Sequence, residues 1–329
     1  MRWIEISVQC HPEAVESVSE LLSEIASGGV AIEEPYELED DGQRYRHIPG
    51  APVMLRAYIP EDDHAASKQE RLATALWHLK SLGDHFIGNL TTRMVDDEDW
   101  AEAWKAHFHV TRIGRRTVIR PTWREYTPES PDDIIIAIDP GMAFGTGTHP
   151  TTRMCLEALE DVTQVGDDVL DVGTGSGILT IAALKLGAAR ALAIDISTIA
   201  VRTTQENIAL NDLTNRVDVS QGTLGVGPDG EALLTPAAPE LGEDLVALLQ
   251  AVRVLTPARL VVANIIARVI GELAPALYAA TAPDGTLIAS GIIAERRHEA
   301  EAPLIAAGFT ITRVLQDGDW LTLIGRRDA

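Results

Sequence analysis

The sequence predicts an α/β protein in which a mostly parallel sheet follows a smaller α+β domain. Three observations predict it. From Thr117 onward, short apolar runs alternate with segments of helical periodicity, the pattern of parallel strands joined by crossover helices. Within that stretch, Val169-Leu-Asp-Val-Gly-Thr-Gly-Ser-Gly-Ile178 reads as strand, glycine turn and helix start, and Ala191-Leu-Ala-Ile-Asp195 as a second strand ending in an acid. This is half of a Rossmann-like nucleoside-binding crevice. Ahead of it, residues 1–95 give the element order βαββαβ, that of a ferredoxin-like unit.

In the first domain, Ile4, Ile6 and Val8 alternate as on a strand, and Val15, Val18, Leu21, Leu22 and Ile25 recur at helical spacing until Gly28-Gly29. Strands fit Val30 to Ile32 and Val53 to Ile59, separated by a polar, charged loop. Leu72, Leu76 and Leu79 mark a second helix, and residues 86–95 a last strand. Residues 96–110 read as a linker helix: acids open it, and Trp100, Trp104 and Phe108 lie four apart on one face. The plain reading of that stripe is packing; a substrate role for Trp104 or Lys105 is the alternative.

Residues 111–329 form the larger domain. Strands fit 117–121, 134–138, 168–172, 191–195, 217–221, 260–264, 286–290, 309–315 and 320–326. Helices fit 151–161, 178–186, 197–211, 241–253, 266–280 and 295–307. The last two strands, split by Asp317-Gly318, read as a hairpin. Residues 222–240 are rich in Gly, Pro and Ala and read as a long surface loop.

Composition narrows the function classes. The 49 acids outnumber the 27 bases and the net charge is −22, which disfavours direct grip on nucleic acid through phosphates; solubility alone and attraction of a basic partner are the two readings of that charge. No apolar run reaches the ~18 residues of a membrane span. The amino terminus lacks the basic and apolar regions of a secretory signal. Cys10 and Cys155 lack metal-ligand spacing and read as reduced thiols in a reducing compartment. No metal is expected.

Three motifs carry the chemistry. Gly173, Gly175 and Gly177 read G-x-G-x-G, with Ile178 where a dinucleotide site would place its third glycine. A nucleoside without phosphate, a dinucleotide and a merely structural turn are the readings in competition, with the first favoured. Asp195 can accept two hydroxyl hydrogen bonds from a ribose. The second motif is Asp139-Pro-Gly-Met-Ala-Phe-Gly-Thr-Gly-Thr-His-Pro-Thr-Thr152, a glycine- and proline-shaped loop at a helix start, suited to close over a ligand. His149 there reads as a loop-holding residue rather than a proton carrier. The third is Leu260-Val-Val-Ala-Asn-Ile-Ile-Ala267, whose Asn264 ends a strand at the carboxyl edge of the sheet. Asn264 caps the next helix or accepts a hydrogen bond from a substrate amine.

Together, AFGTGTHPTT (143–152), VLDVGTGSGIL, AIDI, VVANI and the DWAEAWKAHFH bridge resemble the ribosomal protein L-eleven (L11) methyltransferase family, PrmA, over nearly the full length. The resemblance implies a class I methyltransferase domain with a seven-stranded, mostly parallel sheet, a recognition domain at 1–95, and a cytoplasmic enzyme. It implies trimethylation of lysine ε-amines and the N-terminal α-amine of L11, with S-adenosylmethionine as methyl donor. Phe144, Thr152, Gly173, Gly175, Asp195 and Asn264 match donor-contacting positions, and Asn264 also stands where the target amine arrives. Gln221 and Thr223 are further positions for adenine contacts. The sequence NIIA at 264–267 lacks the prolines and aromatic of an N-P-P-[YF] methyltransferase.

Overall fold

The computed structural model describes residues 2–23, 25–26, 30–33, 35–38, 45–48, 51–62, 64–82, 86–96, 109–139, 147, 149–235, 253–254 and 256–328. The chain divides into two compact units, Met1–His109 and Val110–Ala329. The expected linker helix lies almost wholly outside the described residues.

In the first unit, strands β1 (Arg2–Cys10), β2 (Val30–Glu33), β5 (Val53–Pro60) and β6 (Thr91–Asp96) pair in the order β2-β5-β1-β6, every neighbour antiparallel. Helices α1 (Val15–Ser23) and α2 (Ala65–Leu82) complete the ferredoxin-like order. Period-2 alternation sends Ile6, Val8, Leu55 and Ile59 to one face, where they are fully buried with Val18 and Leu22. Burying one such side chain contributes about 1.5–3 kcal/mol. Glu5, on the other face, is buried too; its carboxylate accepts from Arg56 at 2.8 Å, Arg93 at 3.0 Å and the Tyr58 hydroxyl at 3.1 Å.

The polar stretch between β2 and β5 is not only loop. It contains a short hairpin, β3 (Tyr36–Leu38) with β4 (Tyr45–His47), in which Glu37 stands opposite Arg46. Three-residue strands are too short for periodicity to reveal.

The second unit carries a seven-stranded sheet in the order β12-β11-β10-β16-β17-β19-β18. Its strands are β10 (Asp168–Val172), β11 (Arg190–Asp195), β12 (Val217–Gln221), β16 (Ala258–Asn264), β17 (Thr281–Ile293), β18 (Phe309–Asp317) and β19 (Trp320–Arg327). The first five are parallel; β19 runs antiparallel to both β17 and β18. Strand order reverses between β10 and β16, so a crevice opens at their carboxyl ends.

Helices α3 (Pro150–Val162), α4 (Ile178–Leu186) and α5 (Thr198–Leu210) pack on one face, with Leu156, Leu159, Ile181 and Ile208 against Val169, Leu260, Val262 and Ile288. On the other, α6 (Ala267–Ala280) and α7 (Arg297–Ala307) bury Ile270, Leu277 and Leu304 against Leu170, Val261 and Leu287. Both faces are covered, which is why these strands read as near-continuous apolar runs. Strands β7 (Thr111–Ile113), β8 (Thr117–Pro121) and β9 (Ile134–Ile138) form a separate small sheet. The turn after β7 grips α3: the Glu160 carboxylate accepts from the backbone N–H groups of Arg115, Arg116 and Thr117 at 2.8–2.9 Å.

The 222–240 segment departs from the surface-loop reading. Its described part contains a hairpin, β13 (Thr223–Val226) with β14 (Ala232–Thr235), and β15 (Arg253–Val254) pairs with β14. Leu224, Ala232 and Leu234 are buried in the core shared with α6. Gly227, Pro228 and Gly230 belong to the turn, closed by Gly227 N–H donating to Glu231 O at 2.9 Å. The helix expected at 241–253 falls outside the described residues except for its last position, which is strand.

Candidate active site

The glycine turn follows β10. Gly173 and Thr174 both donate their N–H to Ile194 O, at 2.9 and 3.0 Å, which ties the turn to the end of β11. Gly173 has φ +75°, and a Cβ there would overlap Ile265 Cγ2. The turn therefore abuts the residue after Asn264, and only glycine permits that approach.

Asp195 ends β11 half-buried. Its Oδ2 accepts from Gly175 N–H at 3.0 Å and its Oδ1 from Ser197 N–H at 2.9 Å. A carboxylate has about four lone-pair sites, so each oxygen keeps capacity for a further donor such as a ribose hydroxyl. Asp171, two residues before Gly173, is buried. Its Oδ2 accepts from the Thr174 and Thr180 hydroxyls at 2.9 and 2.7 Å. Its Oδ1 is buried with no hydrogen-bond partner among the described residues. Burial, reinforced by the nearby Asp195 charge, pushes its pKa up to about 6 against the donated hydrogen bonds.

Alternation puts Asn264 on the same face as Asp171: Asp171 pairs in register with Val262, and Asn264 lies two residues further along β16. Asn264 Nδ2 donates to Thr152 Oγ1 at 3.4 Å, while its Oδ1 is buried and unpartnered among the described residues. The start of α3 forms the wall beside it. His149 caps that helix, its Nδ1 accepting from Thr151 N–H at 3.3 Å, and its ring meets Trp320 edge-on at 4.8 Å. Ser290, paired with Asn264 on β17, shares a 2.6 Å hydrogen bond with Thr322 and donates to Thr151 O at 3.3 Å. Two unsatisfied acceptors therefore lie on one face at the mouth of the strand-order reversal. An unpaired buried acceptor costs about 1–3 kcal/mol, so this crevice is built for a donor-bearing ligand.

Comparison with known proteins assigns the family. The sequence profile described as "Ribosomal protein L11 methyltransferase (PrmA)" matches residues 2–328. The chain belongs to the ribosomal protein L11 methyltransferase family. The proteins of that name from Chloroflexus aurantiacus and Bacillus cytotoxicus are 43% and 41% identical to it, over 99% of this chain and 98% and 99% of theirs. The crystal structure of ribosomal protein L11 methylase from Lactobacillus delbrueckii subsp. bulgaricus, 33% identical, superposes with a TM-score of 0.54 over 68% of this chain and 100% of that one.

Of the positions carried over from the family pattern, Thr152, Gly173, Gly175, Asp195 and Asn264 meet at this edge, joined by the Gly175–Asp195 and Asn264–Thr152 hydrogen bonds and the Gly173–Ile265 approach. Phe144 lies outside the described residues. Gln221 is exposed and its side-chain amide donates to Ile196 O at 3.1 Å; Thr223 opens β13. Sequence reasoning gave no role to the unpaired oxygen of Asp171, or to Ser290 and Trp320. Asp171 had a signal, an acid in an otherwise apolar strand. Ser290 and Trp320 had none, because only strand pairing carries them to the site.

Among the described residues no helix is long and apolar enough to cross a membrane, and no group of three or more His, Cys, Asp or Glu converges as metal ligands.

Proposed function

We propose that this chain transfers methyl groups from S-adenosylmethionine to lysine ε-amines and the N-terminal α-amine of ribosomal protein L11, in the cytoplasm. The relatives' names support the substrate. The observation that carries the chemistry is the buried Asn264 Oδ1 beside the glycine turn, which has no partner among the described residues. It is an acceptor waiting for an N–H at the edge where open parallel sheets bind ligands.

The residues fit the donor. Asp195 offers two carboxylate oxygens to ribose hydroxyls. Gly173 and Gly175 keep the turn clear of β-carbons, and the unpaired Asp171 oxygen suits an ammonium group. Thr152 joins them through its bond to Asn264, and Phe144 is carried over from the family pattern alone. Bound S-adenosylmethionine supplies a methyl carbon already activated by a sulfonium, so the proposed chemistry calls on no metal.

The protein's part is positioning. A free lysine has a pKa of about 10.4, so the target amine must release its proton before attack. Burial in the crevice favours the neutral form. Asn264 Oδ1 accepts from that amine and aims its lone pair; an amide is too weak a base to remove the proton, which leaves to water. Holding two reactants in line supplies on the order of 7–11 kcal/mol in favourable cases. The Met1–His109 unit recognises the substrate, and the net charge of −22 draws a basic protein rather than a polyphosphate.

Calorimetric titration with S-adenosylmethionine tests the donor site. Wild-type protein binds it, and Asp195→Ala loses roughly 1.5–3 kcal/mol, the worth of hydrogen bonds to a charged group. Equal affinity in the two proteins, or binding of a nicotinamide dinucleotide instead, would overturn the assignment.

A further inference from the structure

Helix α5 carries a polar stripe where a packed helix should be apolar. Thr204 and Asn207 on the helix and Asn211 at its C-cap, at i, i+3 and i+7, are all buried. Each is satisfied by backbone, as buried polar groups require, but the partners differ along the stripe. Thr204 Oγ1 donates to Gly175 O at 3.0 Å. Asn207 Nδ2 donates to Ser176 O at 2.8 Å, and its Oδ1 accepts from Asp139 N–H at 2.8 Å. Asn211 instead pairs with both backbone groups of Ala137, at 3.0 and 2.6 Å, and donates to Asn207 O at 2.8 Å. One end of the stripe grips the glycine turn; the other grips strand β9 and the helix's own backbone, and makes no bond to the turn.

We propose that Thr204 and Asn207 are positioning residues for methyl transfer, holding the glycine turn in its ligand-ready shape, and that Asn211 is not. The inference rests on the reading that this turn holds the methyl donor. Gly173, Gly175 and Gly177 all have positive φ, at +75°, +58° and +83°. A turn with three such glycines in five residues has many alternative conformations once untethered. Its tethers come from two sides. Asp195 takes the N–H of Gly175 while Thr204 takes that residue's carbonyl, and Asn207 takes the next carbonyl. Asn207 also locks the turn to the end of β9, the strand that leads to the second motif. The helix sits close: a Cβ on Gly177 would lie 3.0 Å from Thr204 Cγ2. Releasing the turn also releases the Gly175 N–H that orients the Asp195 carboxylate, so the ligand must pay to restore both.

The test compares full-length Asn207→Ala, Thr204→Val and Asn211→Ala with wild type, measuring thermal midpoint, affinity for S-adenosylmethionine by calorimetry, and kcat and KM. Asn207→Ala and Asn211→Ala each remove a buried side chain and are expected to lower the midpoint comparably. Only Asn207→Ala weakens donor binding about tenfold, with Thr204→Val, which deletes one hydrogen bond at constant shape, weakening it about threefold. The change falls on KM for the donor more than on kcat, while Asn211→Ala stays within about twofold of wild type. If Asn207→Ala fails to fold, Thr204→Val alone decides. Wild-type affinity in the turn-gripping variants, or an equal loss in Asn211→Ala, overturns the proposal. Failure of the wild type to bind S-adenosylmethionine would instead overturn the reading of the site on which it rests.

Discussion

At Asp171 the fold buries a carboxylate with one oxygen unpaired among the described residues, and the consequence for pH can be worked out. Its pKa rises from an ordinary value of about 3.9 to about 6 in the folded state. Between those values the folded chain holds a proton that the unfolded chain has released. This favourable contribution is full below the ordinary value and is lost as pH rises through about 6, a change of roughly 3 kcal/mol. Asp171→Asn stays neutral throughout. Its stability relative to wild type, read by denaturant titration, is therefore expected to improve from pH 4 to pH 7; a constant difference would contradict the account. S-adenosylmethionine should stabilise wild type more than this variant, since an ammonium satisfies the ionised oxygen. At this scale, glycine spacing and strand-ending polar residues made Gly173, Asp195 and Asn264 legible in the sequence. The unpaired oxygens of Asp171 and Asn264 were not, because satisfaction of a polar atom depends on neighbours distant in the chain.

Among the elements, α3 connects two sites. Its carboxyl half is held through its own Glu160, which accepts from backbone N–H groups of the turn after β7, and its amino end, capped by His149, forms the wall beside Asn264. His149 thus has a structural task, with its ring between Thr151 and Trp320. Replacing it with alanine is expected to cost about 1 kcal/mol of stability, as for loss of a helix cap. Turnover at saturating substrate should persist with an unchanged pH profile. A variant that binds donor normally yet has no turnover would make His149 the proton acceptor after all. Long amphipathic helices and continuous apolar strands were readable, since 3.6- and 2-residue periods accumulate over many positions. The hairpins β3–β4 and β13–β14 were not. Their strands are three or four residues long, and the turn composition of 227–230 masked the buried Leu224 and Leu234 on either side.

For the molecule as a whole, each unit has its own core, one beneath the four-stranded sheet and two flanking the seven-stranded one. Donor binding and substrate recognition are therefore expected to separate. Residues 110–329 expressed alone should bind S-adenosylmethionine with near wild-type affinity and lose methylation of L11; full activity of this fragment on L11 would remove the recognition role from the first unit. While the count of seven strands came from the family resemblance, element order predicted an antiparallel α+β unit and a mostly parallel sheet. It carried no information on the substrate, which came from resemblance across the chain, because a fold does not specify a function.

The most direct test of the central claim is the intact mass of purified L11 after incubation with the wild-type protein and S-adenosylmethionine. The account predicts gains in steps of about 14 Da, one per added methyl, and their near-disappearance with Asn264→Ala. An unchanged L11 mass, with donor binding confirmed in the same preparation, would contradict it.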